Sequence, residues 1–399
     1  MIENHDAGRF DPIPVFGELR AMAKDFASYY DVQFSESLET GSIYEPFTPL
    51  LEAAHNQRIE LLDKLPLGDL SDKVVVDFGT GSWGFACVFE KLHDCKLAIG
   101  IDISAQAVAI SEQKSRTGNF AYGNRFKYLV SDGNTLPLET GSVDVFFTGE
   151  CIEHVENTDA FLDEIYRVMR PGGILILTTP NPQPWFYRIF GMEYAVGPEH
   201  IALMTYDELN SYLAPRFDVL EWQGYNASIH PDIDGFISNP AIAQTWARAC
   251  RDNPRDACGF VVMAKARPGY RPHQYERNSR RLTSSDVRQR GVWEEMGIHK
   301  ELSAHMTKAG GELSMSFTGS QLVVLMWAHD WSGIARISVD DDVRETDLYC
   351  AHAGFRRLVF AGLDPHAPHH LEIVATGRKN PMSHDDQVLF FSASSFQTV

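Results

Sequence analysis

From Lys73 onward the sequence alternates short apolar runs with helical stretches, and this alternation constrains the fold more than any other feature. The stretch DAFLDEIYRVMR, residues 159–170, places its apolar residues on one helical face and stops at an RPGG turn. Strands that alternate with helices predict a parallel sheet covered on both faces. Seven apolar runs have the length of buried strands in such a sheet: 73–78, 96–102, 126–132, 143–149, 173–179, 217–225 and 258–266.

The chain on either side of this block has a different texture. Residues 1–72 are predicted to form a helical amino-terminal cap. The segment 267–291 is rich in Pro, Gly and Arg, and we interpret it as a linker. Residues 292–399 contain short apolar runs separated by turn residues, a pattern typical of a small, jelly-roll-like β-sandwich. We therefore predict an α/β, doubly wound domain over 73–266, followed by an all-β sandwich.

The 399 residues carry a formal net charge of −19, which argues against several classes of partner. A protein whose main partner is nucleic acid usually has a basic surface patch. Because this chain is acidic overall, we expect no nucleic-acid partner. The six cysteines contain no CxxC pair, which argues against a zinc ribbon. No signal-peptide pattern opens the sequence, and no apolar run reaches the roughly 18 residues of a membrane span. We expect a cytoplasmic protein with no membrane contact, and the oligomeric state stays open.

A glycine-rich turn follows the first predicted strand. In VVVDFGTGSWG the strand ends at Asp77, and Gly79, Gly81 and Gly84 form a G-x-G-x-x-G turn at which backbone can approach a ligand. Asp102 lies 21 residues beyond Gly81 (102 − 81), where a carboxylate can accept both hydroxyls of a ribose. Asp77 would repel a phosphate at this point, but it suits a ligand that bears an ammonium or sulfonium group.

The stretch GECIEHVENT follows the fourth predicted strand and carries Glu150, Glu153 and His154. We expect these residues to begin the next helix, where the i, i+3 and i+4 positions share one face. They would lie at the carboxyl edge of the sheet, where doubly wound sheets bind ligands. Three interpretations stay open: a cation site, a histidine base beside the substrate, or an acidic helix start that meets the helix dipole.

The run of VVVDFGTG, GIDIS, SDGNTLPL, VDVFFTGECIEHV and MRPGGILILTTPN resembles the class I S-adenosylmethionine-dependent methyltransferases, over roughly residues 70–225. The resemblance implies a Rossmann-like sheet, an enzyme, and S-adenosyl-L-methionine as cofactor. It implies that the methionine end lies at the glycine turn, the ribose at Asp102 and the adenine at Asp132. The residues implied to bind the cofactor are Asp77, Phe78, Gly79, Thr80, Gly81, Asp102, Ile103, Asp132, Gly133 and Glu150.

The E-x-x-E-H pattern, followed by a histidine before a T-x-x-E-L segment, resembles two branches of this superfamily. They are the ubiquinone-pathway O-methyltransferases and the small-RNA 3′-end 2′-O-methyltransferases, and in the second such residues are thought to hold a divalent metal. On that resemblance His154 and Glu150 are the catalytic residues. Carboxylates and imidazoles without thiolates suit Mg²⁺ or Mn²⁺, ahead of Fe²⁺. The implied metal ligands are Glu150, Glu153, His154 and His200.

Together these features predict an S-adenosylmethionine-dependent O-methyltransferase. The acceptor is expected to be a hydroxyl of a small molecule, either a sugar or glycan or a secondary metabolite. An RNA 2′-O-methyltransferase is the alternative, and the charge of −19 counts against it. An alternative of another class is a non-catalytic protein that binds and senses the cofactor.

Aromatic residues outside the central domain allow two interpretations. In the cap, Tyr29, Tyr30 and Tyr44 either face the pocket or pack in a core. In the sandwich, the carbohydrate prediction depends on aromatic side chains that either stack against a sugar or fill the core between the sheets. These side chains are Trp327, Trp331, Tyr349 and Phe355.

Overall fold

In a computed structural model of the chain, the structure describes eleven stretches of the sequence. They are residues 26–27, 29–31, 34, 49–81, 95–117, 125–190, 199–225, 239–247, 253–276, 287–299 and 302–398. Within the predicted cap, residues 29–31 and 49–63 are helical. Tyr44 and Gly84 lie outside the described residues.

Seven strands form the central sheet in the order β3-β2-β1-β4-β5-β7-β6. The pairings β1–β2, β1–β4, β2–β3 and β4–β5 are parallel, whereas β7 runs antiparallel to both β5 and β6. The predicted doubly wound sheet is confirmed, with β7 as its one reversed strand. The strands are β1 Val74–Phe78, β2 Leu97–Asp102, β3 Phe126–Val130, β4 Val143–Gly149, β5 Met169–Pro180, β6 Phe217–Tyr225 and β7 Gly259–Ala266.

The helices of the described residues are α1 Pro49–Asp63, α2 Ala105–Thr117, α3 Thr158–Val168, α4 Trp185–Phe190, α5 Tyr206–Leu213 and α6 Pro240–Ala247. Helix α3 confirms the amphipathic stretch predicted from the sequence, and it buries Phe161, Leu162 and Ile165. Its amino end is capped by Asn157, whose side chain accepts a hydrogen bond from the backbone N–H of Ala160. None of these helices is long and apolar enough to cross a membrane.

The carboxyl-terminal residues form the predicted β-sandwich from two antiparallel sheets. One sheet has the order β10-β11-β18-β13-β16, with β8 paired to β18, and the other has the order β15-β14-β17-β12-β9. The strands are β8 Tyr275–Glu276, β9 Arg288–Arg290, β10 Glu294–His299, β11 Leu302–Thr307, β12 Glu312–Thr318, β13 Gln321–Ala328, β14 Gly333–Val339, β15 Asp342–Asp347, β16 Gly354–Ala361, β17 Pro368–Lys379 and β18 Val388–Thr398.

Strands β8 and β9 lie inside the segment 267–291, so the linker prediction needs correction there. Strand β9 is exposed along its length and pairs with β12 through the backbone, as in the pair Leu313 and Gln289. Because an exposed edge strand buries no side chains, its sequence RQR carries no apolar signal.

Two of the four sandwich aromatics that were considered for sugar stacking are buried. Trp327 is 2% exposed and Phe355 is 6% exposed, and both pack in a cluster that also contains Tyr29 of the cap. Trp331 is 49% exposed and Tyr349 is half-buried. The core interpretation therefore holds for Trp327, Phe355 and Tyr29.

Candidate functional site

The candidate site lies at the carboxyl edge of the sheet, where β1 separates β2 on one side from β4 on the other. At such a switch point the connections leave in opposite directions and open a crevice for a ligand. Asp77 is the next-to-last residue of β1, Asp102 ends β2, and Glu150 directly follows β4. The sheet thus brings Asp77, Asp102 and Glu150, three of the predicted site residues, to the same edge.

The glycine turn after β1 is held against β2. The N–H groups of Gly79 and Thr80 donate to the carbonyl oxygen of Ile101 at 2.8 and 3.1 Å, and the Gly81 N–H donates to Oδ2 of Asp102 at 2.8 Å. Both glycines have positive φ, 77° and 59°, which other L-residues rarely adopt. The turn is therefore fixed by its own sequence before any ligand binds.

Replacing Gly79 by Ala should weaken cofactor binding and lower stability by about 1–2 kcal/mol, because φ is 77° and L-residues are strained there. A Cβ added at Gly79 would also lie 2.9 Å from both Cβ and Sγ of Cys151. Thermal unfolding and cofactor titration of Gly79→Ala will test this. In the double variant Gly79→Ala/Cys151→Gly, the protein should recover the share of the lost stability that arises from the close contact with Cys151. A Gly79→Ala protein with unchanged stability would contradict the expectation.

Asp77 is buried at 4% exposure, and burial raises the pKa of its carboxyl group to about 7, with a smaller opposing effect from the neighbouring Thr80 side chain. Burial also raises the pKa of Asp102, against the amide hydrogen bonds of Ser104, Gly81 and Ile103. A buried carboxyl group without a cationic partner among the described residues fits the ammonium group of an amino-acid ligand. These residues therefore fit the cofactor that the sequence implies.

The loop after β3 supplies two further predicted cofactor residues, Asp132 and Gly133. Oδ1 of Asp132 accepts the Asn134 N–H at 3.0 Å, which makes a local turn. Gly133 has φ of 81°, and a Cβ there would lie 2.7 Å from the Phe78 ring and 2.9 Å from the Phe161 ring. Phe78 thus shapes this side of the crevice by packing under the loop.

Glu150 adopts a left-handed backbone conformation, with φ of 51°. Its carboxylate accepts a hydrogen bond from the Tyr225 hydroxyl at 2.9 Å and lies 3.3 Å from Arg58 of α1. The residues that follow, Ile152–His154, form one 3-10 turn, and α3 begins only at Thr158. The expected helical face shared by Glu150, Glu153 and His154 does not form, because the chain reverses at Glu150 before any helix starts.

Glu153, His154 and His200 nevertheless meet at one point. Each offers one ligand atom, and these atoms all lie within 4.8 Å of one another. The two imidazole rings are 4.7 Å apart, and Nε2 of His154 is 3.9 Å from Oε1 of Glu153. Three of the four implied metal ligands are thus together, and Glu150 is not in this group.

Glu153 is fully buried, and only one of its two oxygens is satisfied. Oε2 accepts a hydrogen bond from the Thr179 hydroxyl at 2.8 Å, whereas Oε1 has no hydrogen-bond partner within the part of the chain that the structure describes. Burial raises the pKa of Glu153 well above its usual value. A buried, unpaired carboxyl oxygen beside two imidazoles is a donor set that a divalent cation would satisfy.

Both imidazoles are disposed to be neutral, which metal ligation and base chemistry each require. Burial lowers the pKa of His154 and, more strongly, that of His200. Nδ1 of His154 lies 3.2 Å from the Glu199 carbonyl oxygen and 3.0 Å from the Tyr30 hydroxyl. Because a carbonyl only accepts, this contact is a hydrogen bond when Nδ1 carries the proton. The lone pair is then on Nε2, on the side of Glu153.

Sequence reasoning missed several members of the site. Thr179 is the next-to-last residue of β5 and Tyr225 ends β6, so their positions at the sheet edge were a usable signal. Glu199 acts through its backbone carbonyl, which no side-chain pattern reveals. Arg58 lies on α1, and its contact with Glu150 depends on how the cap packs.

Residues 76–177 match the family model described as a methyltransferase domain. The chain is 29% identical over 119 residues to malonyl-[acyl-carrier protein] O-methyltransferase of Marinomonas sp. (strain MWYL1). The aligned region covers 30% of this chain and 42% of that protein. It is 28% identical over 155 residues to sarcosine/dimethylglycine N-methyltransferase of Aphanothece halophytica, which covers 38% of this chain and 53% of that protein. The chain thus spans about half the length of these curated relatives.

Among solved structures, phosphoethanolamine N-methyltransferase 2 of Haemonchus contortus in complex with S-adenosyl-L-methionine is similar, with a TM-score of 0.38 and 18% identity. That similarity covers 53% of this chain and 52% of the other. The family match covers Asp77 of β1, Asp102 of β2 and Glu150, which directly follows β4. Residues 76–177 therefore match a methyltransferase domain, and they lie in a sheet that has the predicted doubly wound architecture.

Proposed function

We propose that the chain is an S-adenosylmethionine-dependent O-methyltransferase whose acceptor hydroxyl is activated with the help of a divalent cation, Mg²⁺ or Mn²⁺. The observation that carries the proposal is the meeting of Glu153, His154 and His200 at the carboxyl edge of the sheet. Glu153 is two residues beyond Cys151, whose side chain packs against Gly79 of the glycine turn. Similar proteins include O- and N-methyltransferases, so the choice of oxygen depends on this trio.

The cofactor is proposed to lie along the edge from β1 to β3. Asp77 would pair with its ammonium group, Asp102 would accept hydrogen bonds from its ribose, and the loop at Asp132 and Gly133 would border its adenine. When bound, S-adenosylmethionine supplies a methyl group on a sulfonium centre, which makes that carbon electrophilic.

Methyl transfer to an alcohol makes two demands on the protein. The acceptor oxygen must lie in line with the methyl carbon and the sulfur. Such positioning lowers the activation free energy by roughly 7–11 kcal/mol. The oxygen forms its bond to carbon while the carbon–sulfur bond breaks to leave a neutral thioether. The hydroxyl proton must pass to a base, either water or an imidazole that holds no cation. A histidine that acts as general base typically raises the reaction rate by about 10²–10⁴-fold. A cation held by the trio would polarise the hydroxyl and make that proton more acidic.

The acceptor class is proposed to be a sugar, a glycan or a related secondary metabolite. Support comes from the sandwich, on which the exposed Trp331 lies with its ring 5.5 Å from that of His384. An exposed aromatic beside polar groups suits a sugar ring. An RNA 2′-hydroxyl would place the same demands on the trio, but the net charge of −19 argues against a phosphate backbone.

Chelation tests the cation. Protein purified without chelator is incubated with labelled cofactor and a panel of sugars, nucleotide sugars and cell extract, and methylated products are identified by mass spectrometry. EDTA should abolish methyl transfer, because chelation removes the Lewis acid from the trio. Added Mn²⁺ or Mg²⁺ should restore the transfer. Unchanged turnover in EDTA would reject the cation, and a panel without any methylated sugar would reject the carbohydrate acceptor.

A further inference from the structure

The β-sandwich packs directly against the amino-terminal cap, beside the candidate site. The Phe26 ring lies 5.7 Å from the rings of both Phe355 and Phe391 of the sandwich. Tyr29 is 1% exposed and belongs to the same apolar cluster as Trp327. Aromatic rings at these separations fix the angle between two elements as well as burying area. The sandwich therefore holds this part of the cap in a defined position.

His299, at the end of β10, is the polar centre of this contact. Its ring stacks on Trp327, with centroids 6.3 Å apart and planes 22° apart. Its Nε2 lies 3.3 Å from the Tyr29 hydroxyl and 4.0 Å from Oε2 of Glu199. One sandwich side chain thus contacts two segments that are far apart in the sequence.

These are the same two segments that supply the contacts to Nδ1 of His154. Tyr30 follows Tyr29, and its hydroxyl lies 3.0 Å from Nδ1. Glu199 reaches Nδ1 with its backbone carbonyl at 3.2 Å and precedes His200. His299 therefore contacts Glu199 itself and Tyr29, the residue that precedes Tyr30.

The sandwich also grips the chain that follows the 3-10 turn. Nη1 of Arg357 donates hydrogen bonds to the carbonyl oxygens of Val155 and Glu156, at 3.4 and 3.0 Å. The Asn157 side chain donates to Oε1 of Gln321 at 2.6 Å, and both of these side chains are buried. Buried polar contacts with good geometry specify one relative placement of two surfaces. The turn that carries His154 is thus fixed from the sandwich side as well.

We propose that the β-sandwich is a structural part of the methyl-transfer site, with His299 as the positioning residue that fixes the Tyr29–Tyr30 and Glu199–His200 segments around His154. The inference depends on the proposed function for the role of His154 in methyl transfer. The positioning itself is a property of the protein without acceptor or metal, so it can be tested separately. Residues that orient a metal-ligating histidine typically change metal affinity by 10–100-fold when replaced.

The test uses the full chain and three variants. His299→Phe keeps a ring on Trp327 but removes Nε2, whereas His299→Gln keeps a polar nitrogen near the place of Nε2. His366→Phe is the matched control, because His366 is an exposed histidine of the sandwich. The first readout is the imidazole ¹⁵N spectrum of His154, assigned with His154→Gln, which reports which ring nitrogen carries the proton. The second is Mn²⁺ affinity, measured by electron paramagnetic resonance with Mn²⁺ alone.

We expect His299→Phe to change the His154 spectrum and to weaken Mn²⁺ binding by about tenfold, with the melting temperature kept. His299→Gln should keep most of the wild-type His154 spectrum and most of the Mn²⁺ affinity. His366→Phe should resemble the wild type in both readouts. An unchanged His154 spectrum in His299→Phe overturns the inference, whatever Mn²⁺ does. A changed spectrum in a protein whose wild type binds no Mn²⁺ supports the positioning and contradicts the cation of the proposed function.

Discussion

Replacement of His154 by Gln should reduce methyl transfer by about 10²–10⁴-fold and leave S-adenosylmethionine binding nearly unchanged. The variant removes the Nε2 atom that lies 3.9 Å from Glu153, so the site loses its best-oriented base or cation ligand. Cofactor binding is spared because the residues proposed to hold the cofactor, Asp77 of β1 and Asp102 of β2, stay in place. Single-turnover transfer and calorimetric titration of the cofactor measure the two effects separately.

Two further variants show what His154 does. Glu153→Gln keeps the size and the Thr179 contact of a buried side chain but weakens its hold on a cation, so added Mn²⁺ should no longer stimulate transfer or raise the melting temperature. His366→Gln alters an exposed histidine of the sandwich and should leave the rate unchanged. Full activity in His154→Gln would eliminate both chemical roles and leave only the structural interpretation of GECIEHVENT.

The central sheet could be predicted because its signals are local. A run such as VVVDF buries four of its five residues, so its composition alone identifies a strand in a covered sheet. The glycine turn is equally local, since Gly79 and Gly81 need positive φ whatever surrounds them. The residues that follow these strands could therefore be placed together at one edge of the sheet.

The trio could be named from the sequence, but its geometry could not. Helical spacing placed Glu150 with Glu153 and His154, whereas the backbone at Glu150 is left-handed and turns its carboxylate to Tyr225. The meeting with His200 depends on a contact across 46 residues (200 − 154), which is set by tertiary packing. One part of that packing is the hydrogen bond from the Ala202 N–H to the Glu153 carbonyl oxygen, at 2.7 Å.

The contribution of the sandwich was beyond sequence reasoning for a related reason. Alternation along a strand shows that one face is apolar, but it does not say what covers that face. Trp327 and Phe355 were candidates for a sugar platform until the structure placed Tyr29 against them. An interface between two elements far apart in the sequence leaves no periodic pattern in either one.

Replacement of Asp77 by Asn should weaken cofactor binding by at least about 30-fold, or about 2 kcal/mol, because the ammonium group then loses a buried charged partner. In the wild type the pKa of the Asp77 carboxyl is about 7, so below pH 7 the group must lose a proton before it can pair with the ammonium. Affinity should therefore fall as the pH drops below 7, by up to about tenfold per pH unit. It should fall again above about pH 8, where the free α-ammonium group of the cofactor loses its proton. Calorimetric titration between pH 5.5 and 8.5 measures both effects.

The stability of the Asp77→Asn protein separates lost binding from lost folding. The folded-state pKa of Asp77 is raised above the ordinary value of 3.8, so its ionisation costs stability as the pH rises from about 4 to 7, and the full cost applies above pH 7. Without cofactor, the Asn variant should thus be at least as stable as the wild type at pH 8. Asp72→Asn, which alters an exposed aspartate just before β1, should keep both the affinity and its pH profile. If Asp77→Asn also kept both, the ammonium group would not be bound at Asp77, and the cofactor would have to lie differently along the edge.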